Sequence, residues 1–148
     1  MNRTLILGLG NPLMGDDGAG LRVAELLSAD AFVTARADVI AAGTDLLSLM
    51  DRFAGRERII LVDAATCEQG PGRLSVVDQV LLEERPEHVH SLSAPQAVEL
   101  LRTVMPGLRH ARFTWVLIGV VSACVGQEMS ADVAAAVPQA AAMIKGWL

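Results

Sequence analysis

The sequence predicts an α/β protein with a three-layer α/β/α arrangement, and three observations support this. Strand-like and helix-like segments alternate along almost the whole 148 residues, as in proteins whose helices pack on a parallel or mixed sheet. Hydrophobic residues make up 52% of the chain and aromatic residues only 3%, so Ala, Val and Leu build the interior. The length is typical of one domain, and no repeat or linker divides it, so we expect a single domain over residues 1–148.

Five segments have the apolar, β-prone composition of strands. The clearest is residues 58–63, a continuous run of Ile, Leu and Val closed by Asp63. The first apolar run leads into Gly8 and Gly10, which indicates a tight turn at its carboxyl end. The predicted strands cover residues 4–9, 33–41, 58–63, 73–78 and 114–121.

Two helices are predicted in the first half of the chain. Apolar residues recur at helical spacing over residues 18–28. Asp16 or Asp17 is expected to cap this helix, because a carboxylate there satisfies free backbone N–H groups. Thr44 is expected to cap a second, short helix that ends at Gly55.

Two further helices are predicted in the second half, after a polar, irregular stretch over residues 79–92. Residues 93–96 read Ser-Ala-Pro-Gln, a capping-box pattern that should begin a helix running to about residue 104. An Ala-rich helix is predicted from Ser130 onward, and Pro138 either kinks it or begins its second part.

Composition excludes several classes of partner and compartment. The net charge is −5 and no Lys/Arg cluster is present, so we expect no nucleic-acid binding. The chain begins without a signal-peptide pattern, and its longest apolar stretch, residues 115–125, is shorter than the ~20 residues of a membrane-spanning helix. Cys67 and Cys124 match no paired metal spacing, and we expect them to be free thiols. These features predict a cytoplasmic protein without membrane insertion.

Two acids stand at the ends of predicted strands. Asp17 follows the first strand and Asp63 ends the strand at residues 58–63. If these strands are parallel neighbours, both side chains lie at the same edge of the sheet, where open α/β proteins bind ligands. Taken singly, Asp17 could be a helix cap and Asp63 a solvated strand end. Together, beside glycines that let a ligand approach closely, they favour a site.

His90 is a candidate third member of this site. It lies in the loop that precedes the capped helix, whereas His88 and His110 are expected to be surface residues. Two carboxylates and an imidazole form a ligand set suited to nickel, zinc, cobalt or iron. Three protein ligands would leave positions open for water or an incoming group.

Other catalytic patterns fit poorly. The third glycine of a dinucleotide fingerprint is not in place after Gly10, and no phosphate-loop lysine, G-x-S-x-G or H-E-x-x-H is present. Cys67 could act as a nucleophile with a histidine, but a small apolar residue is the favoured interpretation. Asn11 either fixes the turn through bonds to the backbone or faces a substrate; the sequence leaves both open.

The opening motif resembles the signature of the nickel–iron hydrogenase maturation endopeptidases. It reads Gly8-Leu9-Gly10-Asn11, followed by Asp16-Asp17-Gly18-Ala19-Gly20. The resemblance extends over nearly the whole chain, and it implies an α/β/α sandwich around a twisted, mostly parallel five-stranded sheet. The remaining segments in family order are Asp63-Ala64, His90-Ser91-Leu92, Leu117-Ile118-Gly119 and Ser130…Val133…Val137.

The resemblance implies an endopeptidase that removes the C-terminal extension of a hydrogenase large-subunit precursor after nickel insertion. It assigns the metal contacts to Asp17, Asp63 and His90, which would contact nickel already held by precursor cysteines; another divalent metal could occupy the same site. Such an ion can polarise the scissile carbonyl and activate water, or it can serve only for recognition. Residues expected to contact the substrate are Gly10, Asn11, Asp16, Gly43 and Thr44.

The chain departs from the family pattern at three points. The family often has Glu at the position of Asp17, so Asp16 stays an alternative ligand. A different alignment of the histidine loop would make His88 the ligand in place of His90. Many members carry an Asp just before the Gly-Thr after the second strand, where this chain has Ala41-Ala42.

Two other functions are compatible with parts of the sequence. The run Gly8-Leu9-Gly10-Asn11-Pro12 also resembles the opening of peptidyl-tRNA hydrolases, although the histidine expected shortly afterwards and a basic face are missing. The alanines at positions 41 and 42 would also suit a metal-dependent protein that binds the precursor without cutting it.

Overall fold

The computed structural model describes residues 1–66, 70–78, 93–121 and 125–148. Within these ranges, five strands alternate with helices in the predicted order. The strands are β1 (Thr4–Leu9), β2 (Ala37–Gly43), β3 (Arg58–Thr66), β4 (Leu74–Val77) and β5 (Arg112–Val120). The α-helices are α1 (Ala19–Ser28), α2 (Ala31–Thr34), α3 (Met50–Phe53), α4 (Ala94–Val104) and α5 (Ala131–Lys145). Short 3-10 helices lie at Gly15–Gly18, Leu47–Leu49 and Pro106–His110.

The five strands form one sheet in the order β2-β1-β3-β5-β4. β1 pairs in parallel with both β2 and β3, and β3 pairs in parallel with β5. β4 lies at the edge and runs antiparallel to β5. The predicted mostly parallel, five-stranded sheet is therefore confirmed, and β1 and β3 are neighbours as the site hypothesis requires.

Helices cover both faces of the sheet and complete the three layers. Successive side chains of a strand point to opposite faces, so Ile60 and Val62 of β3 belong to one core while Ile59 and Leu61 belong to the other. The first core packs against α1, α2 and α5, and the second packs against α3, α4 and the short helix that follows α4. No α-helix within the described residues is long and apolar enough to cross a membrane.

The first turn of α1 lies directly on the backbones of β1 and β3. A Cβ atom at Gly20 would stand 2.2 Å from the carbonyl oxygen of Val62 and 2.5 Å from that of Leu9. A Cβ atom at Gly8 would stand 2.3 Å from the carbonyl oxygen of Gly20. Only glycine at both positions allows this approach, which sets where the loop before α1 meets the end of β3.

The second strand starts later than predicted. Residues 31–34 form the short helix α2, because the Asp30 side chain accepts hydrogen bonds from the backbone N–H groups of Phe32 and Val33. This local cap removes the β-prone Val33 from the strand, and β2 then begins at Ala37.

Thr44 does not cap the following helix, so that prediction is wrong. The Asp45 side chain instead accepts a hydrogen bond of 3.2 Å from the Ser48 backbone N–H, and a 3-10 turn over Leu47–Leu49 leads into α3. An Asx turn of this kind satisfies the free N–H groups one residue further along the chain than expected.

The two later helices agree with the sequence. The Ser93 hydroxyl accepts from the Gln96 N–H and the Gln96 side chain accepts from the Ser93 N–H, which completes the predicted capping box of α4. α5 contains Pro138 in its interior and continues as one helix from Ala131 to Lys145.

We expect Gly20→Ala to destabilise the fold by about 3 kcal/mol or more, because its methyl group would overlap the Val62 carbonyl oxygen. Gly107→Ala is the matched control, since a Cβ atom at Gly107 meets nothing within 4 Å. Urea unfolding of the two variants measures the difference. Equal stability of the two variants would show that α1 does not need this close contact.

Candidate functional site

The site lies at the carboxyl ends of β1 and β3, where the chain turns sharply at Gly10. Gly10 has φ +128°, and its N–H donates to the carbonyl oxygen of Gly43 at 2.9 Å, which ties the ends of β1 and β2 together. A Cβ atom at Gly10 would stand 1.8 Å from the backbone oxygen of Asp17. Glycine is therefore required for the Asp17 backbone to close over the end of β1.

Asp17 lies in the 3-10 turn before α1 and binds the preceding loop. Its Oδ2 accepts a hydrogen bond of 2.7 Å from the Asn11 backbone N–H. Neither Asp16 nor Asp17 caps α1, contrary to the prediction, because Gly18 holds the N-cap position without any side-chain cap. Asn11 fixes the turn, since its Oδ1 accepts from the Leu13 N–H at 3.0 Å.

Asp16 points to a different partner. Its two carboxylate oxygens accept from the Ser130 backbone N–H at 2.6 Å and from the Ser130 hydroxyl at 3.0 Å. Ser130 is the N-cap residue of α5, so Asp16 links the opening loop to the last helix. Sequence analysis missed this contact, because 114 residues separate the two partners and no local pattern connects them.

Asp63 is partly buried in β3, beside Leu117 of β5. Its Oδ1 accepts a hydrogen bond of 2.9 Å from the Ala64 backbone N–H. Burial, followed by repulsion from the charge of Asp17, raises the pKa of Asp63 to about 7, while the Ala64 N–H acts in the opposite direction. Asp17 and Asp63 therefore interact electrostatically at the edge of the sheet, as the strand positions predicted.

Four of the residues expected to contact the substrate lie at or just after the ends of β1 and β2. Gly10 and Asn11 form the turn that holds Asp17. Gly43 has φ +69° at the end of β2, and Thr44 is exposed in the turn beyond it. Ala41 is exposed in β2 opposite Gly8 of β1. Asp16 lies beside the pair, with its carboxylate bound to Ser130.

Each acid of the pair has one oxygen that makes no hydrogen bond to the described part of the chain, namely Oδ1 of Asp17 and Oδ2 of Asp63. Such a pair can share a proton or bind a cation, since either relieves the repulsion between the carboxylates. Within the described ranges, no three Asp, Glu, His or Cys side chains form a metal-binding group. The candidate ligands His88 and His90, and the thiols Cys67 and Cys124, lie outside those ranges.

The fold and the acidic pair define an open α/β protein with a polar site at the carboxyl edge of its sheet, the usual ligand position in this class.

Comparison with known proteins identifies the family. The family model "HycI: Hydrogenase maturation protease" matches residues 21–147. A relative, protein FrxA from Pyrococcus furiosus, is 30% identical over 135 residues, which cover 88% of this chain and 94% of that protein.

Solved structures agree. The [NiFe] hydrogenase maturation protease HybD from Thermococcus kodakarensis superposes with a TM-score of 0.76 at 28% identity, covering 99% of both chains. The maturating endopeptidase HybD from Escherichia coli has a TM-score of 0.69 at 21% identity, covering 97% of this chain and 90% of that one, and it supports the fold alone.

The chain belongs to the hydrogenase maturation protease family and is a peptidase. The resemblance inferred from the opening motif is thereby confirmed. The family match also decides against the peptidyl-tRNA hydrolase alternative.

The raised pKa of Asp63 predicts a pH-dependent cost to stability. Its pKa is about 7 in the folded protein against 3.8 ordinarily, so the folded state binds this proton more tightly than the unfolded state. Protonated Asp63 therefore favours the folded state. Its contribution to the free energy of unfolding is fully present below about pH 4 and is lost as pH rises through about 7. We expect Asp63→Asn to be more stable than the wild type at about pH 8, by at most about 4 kcal/mol, and about equally stable near pH 4.

Urea unfolding across this pH range measures the effect, with Asp51→Asn as the control. Asp51 is an exposed acid on α3, and the same substitution there should leave the pH profile unchanged. A constant difference between Asp63→Asn and the wild type at all pH values would contradict the raised pKa.

Proposed function

We propose that this peptidase removes the C-terminal extension of a nickel–iron hydrogenase large-subunit precursor once nickel has been inserted. The observation that carries the proposal is the electrostatic interaction of Asp17, in the turn before α1, with Asp63 of the strand β3, in a member of this family. The name of the similar Thermococcus kodakarensis protein, a [NiFe] hydrogenase maturation protease, supports the substrate class. Cytoplasmic processing of the precursor is part of this proposal.

In this proposal the nickel belongs to the substrate, and Asp17, Asp63 and His90 contact it. The donor chemistry fits, because two carboxylates and an imidazole suit a borderline divalent ion. Asp63 has only a backbone N–H as hydrogen-bond partner among the described residues, so an arriving cation meets a carboxylate with no competing positive charge there. The energetic cost of holding two acids together is then recovered when the metal-bearing precursor docks.

Asp17 is favoured over Asp16 as the ligand. The Asp16 carboxylate already accepts two hydrogen bonds from Ser130, whereas Asp17 faces the charge of Asp63. Asn11 and Gly10 position Asp17. The Asn11 N–H orients the Asp17 carboxylate, and the absence of a side chain at Gly10 leaves room for the Asp17 backbone. When bound, the divalent ion can polarise the scissile carbonyl or activate a water molecule.

The other interpretation of the sequence, a metal-dependent protein that binds the precursor without cutting it, is disfavoured by the assignment to a peptidase family. The feature behind it is Ala41-Ala42, which stand where the family resemblance leads us to expect an Asp. Ala41 is exposed on β2, one strand away from the acidic pair, so an acid there could reach a substrate bound along the edge of the sheet. Without it, the precursor could still bind to Asp17 and Asp63.

Intact-mass measurement of a hydrogenase large-subunit precursor tests the proposal directly. We expect this protein to release a C-terminal fragment from the nickel-loaded precursor and to leave the nickel-free form unchanged. Cleavage of both forms would disprove nickel-dependent recognition. Formation of a complex with the loaded form, with no change of mass, would contradict the proposed cleavage of this precursor.

We expect Asp17→Asn, Asp63→Asn and His90→Ala each to abolish processing of the loaded precursor, because each removes one proposed contact to the ion. His88→Ala and Cys67→Ser are the matched controls and should retain wild-type rates. All variants should unfold cooperatively in urea, which separates loss of function from loss of fold. An active His90→Ala together with an inactive His88→Ala would transfer the ligand role to His88.

A further inference from the structure

A polar cavity lies at the opposite end of the sheet from the acidic pair. It opens between the amino ends of β3 and β5, the edge strand β4 and the end of the chain after α5, and its volume is about 450 Å³. That volume is within the usual range for small-molecule pockets. Its lining residues are Arg58, Val76, Asp78, Arg112, Thr114 and Trp147.

Among the described residues, the lining of the cavity contains two arginines and one acid. Arg58 and Arg112 are register partners at the starts of neighbouring parallel strands, an arrangement in which like charges repel. Burial, with a further contribution from the charge of Arg112, holds the pKa of Arg58 below its usual value. The acid in the lining, Asp78, is 3.9 Å from Arg112 Nη2, and both side chains are largely exposed, so their attraction is weak.

Buried donors in the cavity lack partners. Thr114 is only 3% exposed, yet its hydroxyl makes no hydrogen bond within the described part of the chain. The Nε of Arg58 is also buried and unpaired among those residues. Buried polar atoms in folded proteins normally have a hydrogen-bond partner, and a buried donor without one lowers the stability of the fold.

Contacts with Trp147 fix the orientation of the Arg58 side chain. Its Nη1 donates to the Trp147 backbone oxygen at 3.1 Å, and its guanidinium lies 5.5 Å from the centre of the Trp147 ring. These contacts hold the Arg58 guanidinium against Trp147, in the cavity that Thr114 also lines. Val76 and the indole ring supply apolar walls.

We propose that this cavity binds a small oxoanion, a carboxylate or a phosphate, between Arg58, Arg112 and the Thr114 hydroxyl. An anionic group satisfies the two unpaired donors and neutralises the repulsion between the arginines. Its planar or tetrahedral oxygens match the several N–H donors that guanidinium groups present. This site is separate from the acidic pair and does not depend on the proposed function.

The test uses the intrinsic fluorescence of Trp147. The wild-type protein is titrated with inorganic phosphate and, separately, with acetate at constant ionic strength, and calorimetry provides an independent measurement. We expect a saturable change with at least one anion, absent in Trp147→Phe, which retains the buried Trp115. Phosphate or acetate as the tighter ligand identifies which of the two sources the site prefers.

Three variants separate a specific site from general attraction of anions. Arg112→Gln should weaken binding about tenfold because it removes a positive charge, and the isosteric Thr114→Val should weaken it severalfold because it removes a hydroxyl donor. Asp78→Asn should instead tighten binding about twofold, since it removes a nearby negative charge. Asp78 is exposed, so this variant is expected to fold even if a substitution at Thr114 does not.

Two results would overturn the proposal. One is the absence of any saturable response to either anion in fluorescence and calorimetry. The other is equal affinity in the wild type, Arg112→Gln and Asp78→Asn, which would show that the bound anion does not contact this cavity.

Discussion

Direct contact between the first turn of α1 and the backbones of β1 and β3 is the constraint on which the site depends. Gly8 and Gly20 allow it, because side chains at either position would overlap backbone atoms of the other element. The contact brings the loop before α1 down onto the carboxyl end of β3, and so brings Asp17 to Asp63. The positive end of the α1 dipole also faces this region and favours negative charge there.

The acidic pair lowers the stability of the fold at the position that we propose as the functional site. Burial and repulsion from Asp17 raise the pKa of Asp63 to about 7. Among the described residues, its carboxylate accepts one hydrogen bond, from the Ala64 backbone N–H. A neutral residue in place of Asp63 would remove this destabilisation and make the fold more stable. A carboxylate retained under such strain is typical of a group that waits for a cation or a proton.

The two adjacent acids of the opening motif have separate tasks. Asp16 binds the start of α5 through Ser130, which attaches the last helix to the first loop. The segment before α5 makes a second contact with that loop, where the Gly126 N–H donates to the Leu13 oxygen at 2.9 Å. Asp17, held by the Asn11 N–H, is thus part of a loop fixed from both sides. The framework around the acidic pair is preorganised before any substrate arrives.

The sequence alone determined the elements whose signals are local. The apolar run of β1, the buried run of β3 and the capping box of α4 could be identified because neighbouring residues specify them. The sequence predicted that Asp63 ends its strand, which is wrong, because β3 continues to Thr66 through its pairing with β5. The alternation of elements was sufficient to predict three layers, because each amphipathic helix must cover a sheet face.

Only the tertiary structure decided between residues that look equivalent in sequence. Asp16 and Asp17 are adjacent acids, and what separates them is a hydrogen bond to Ser130 across 114 residues. The raised pKa of Asp63 likewise depends on burial and on a charge from another element. The antiparallel pairing of β4 and the arginine-lined cavity beside it arise from contacts between strands far apart in the chain. Such contacts depend on how elements pack in space, and no short stretch of sequence encodes them.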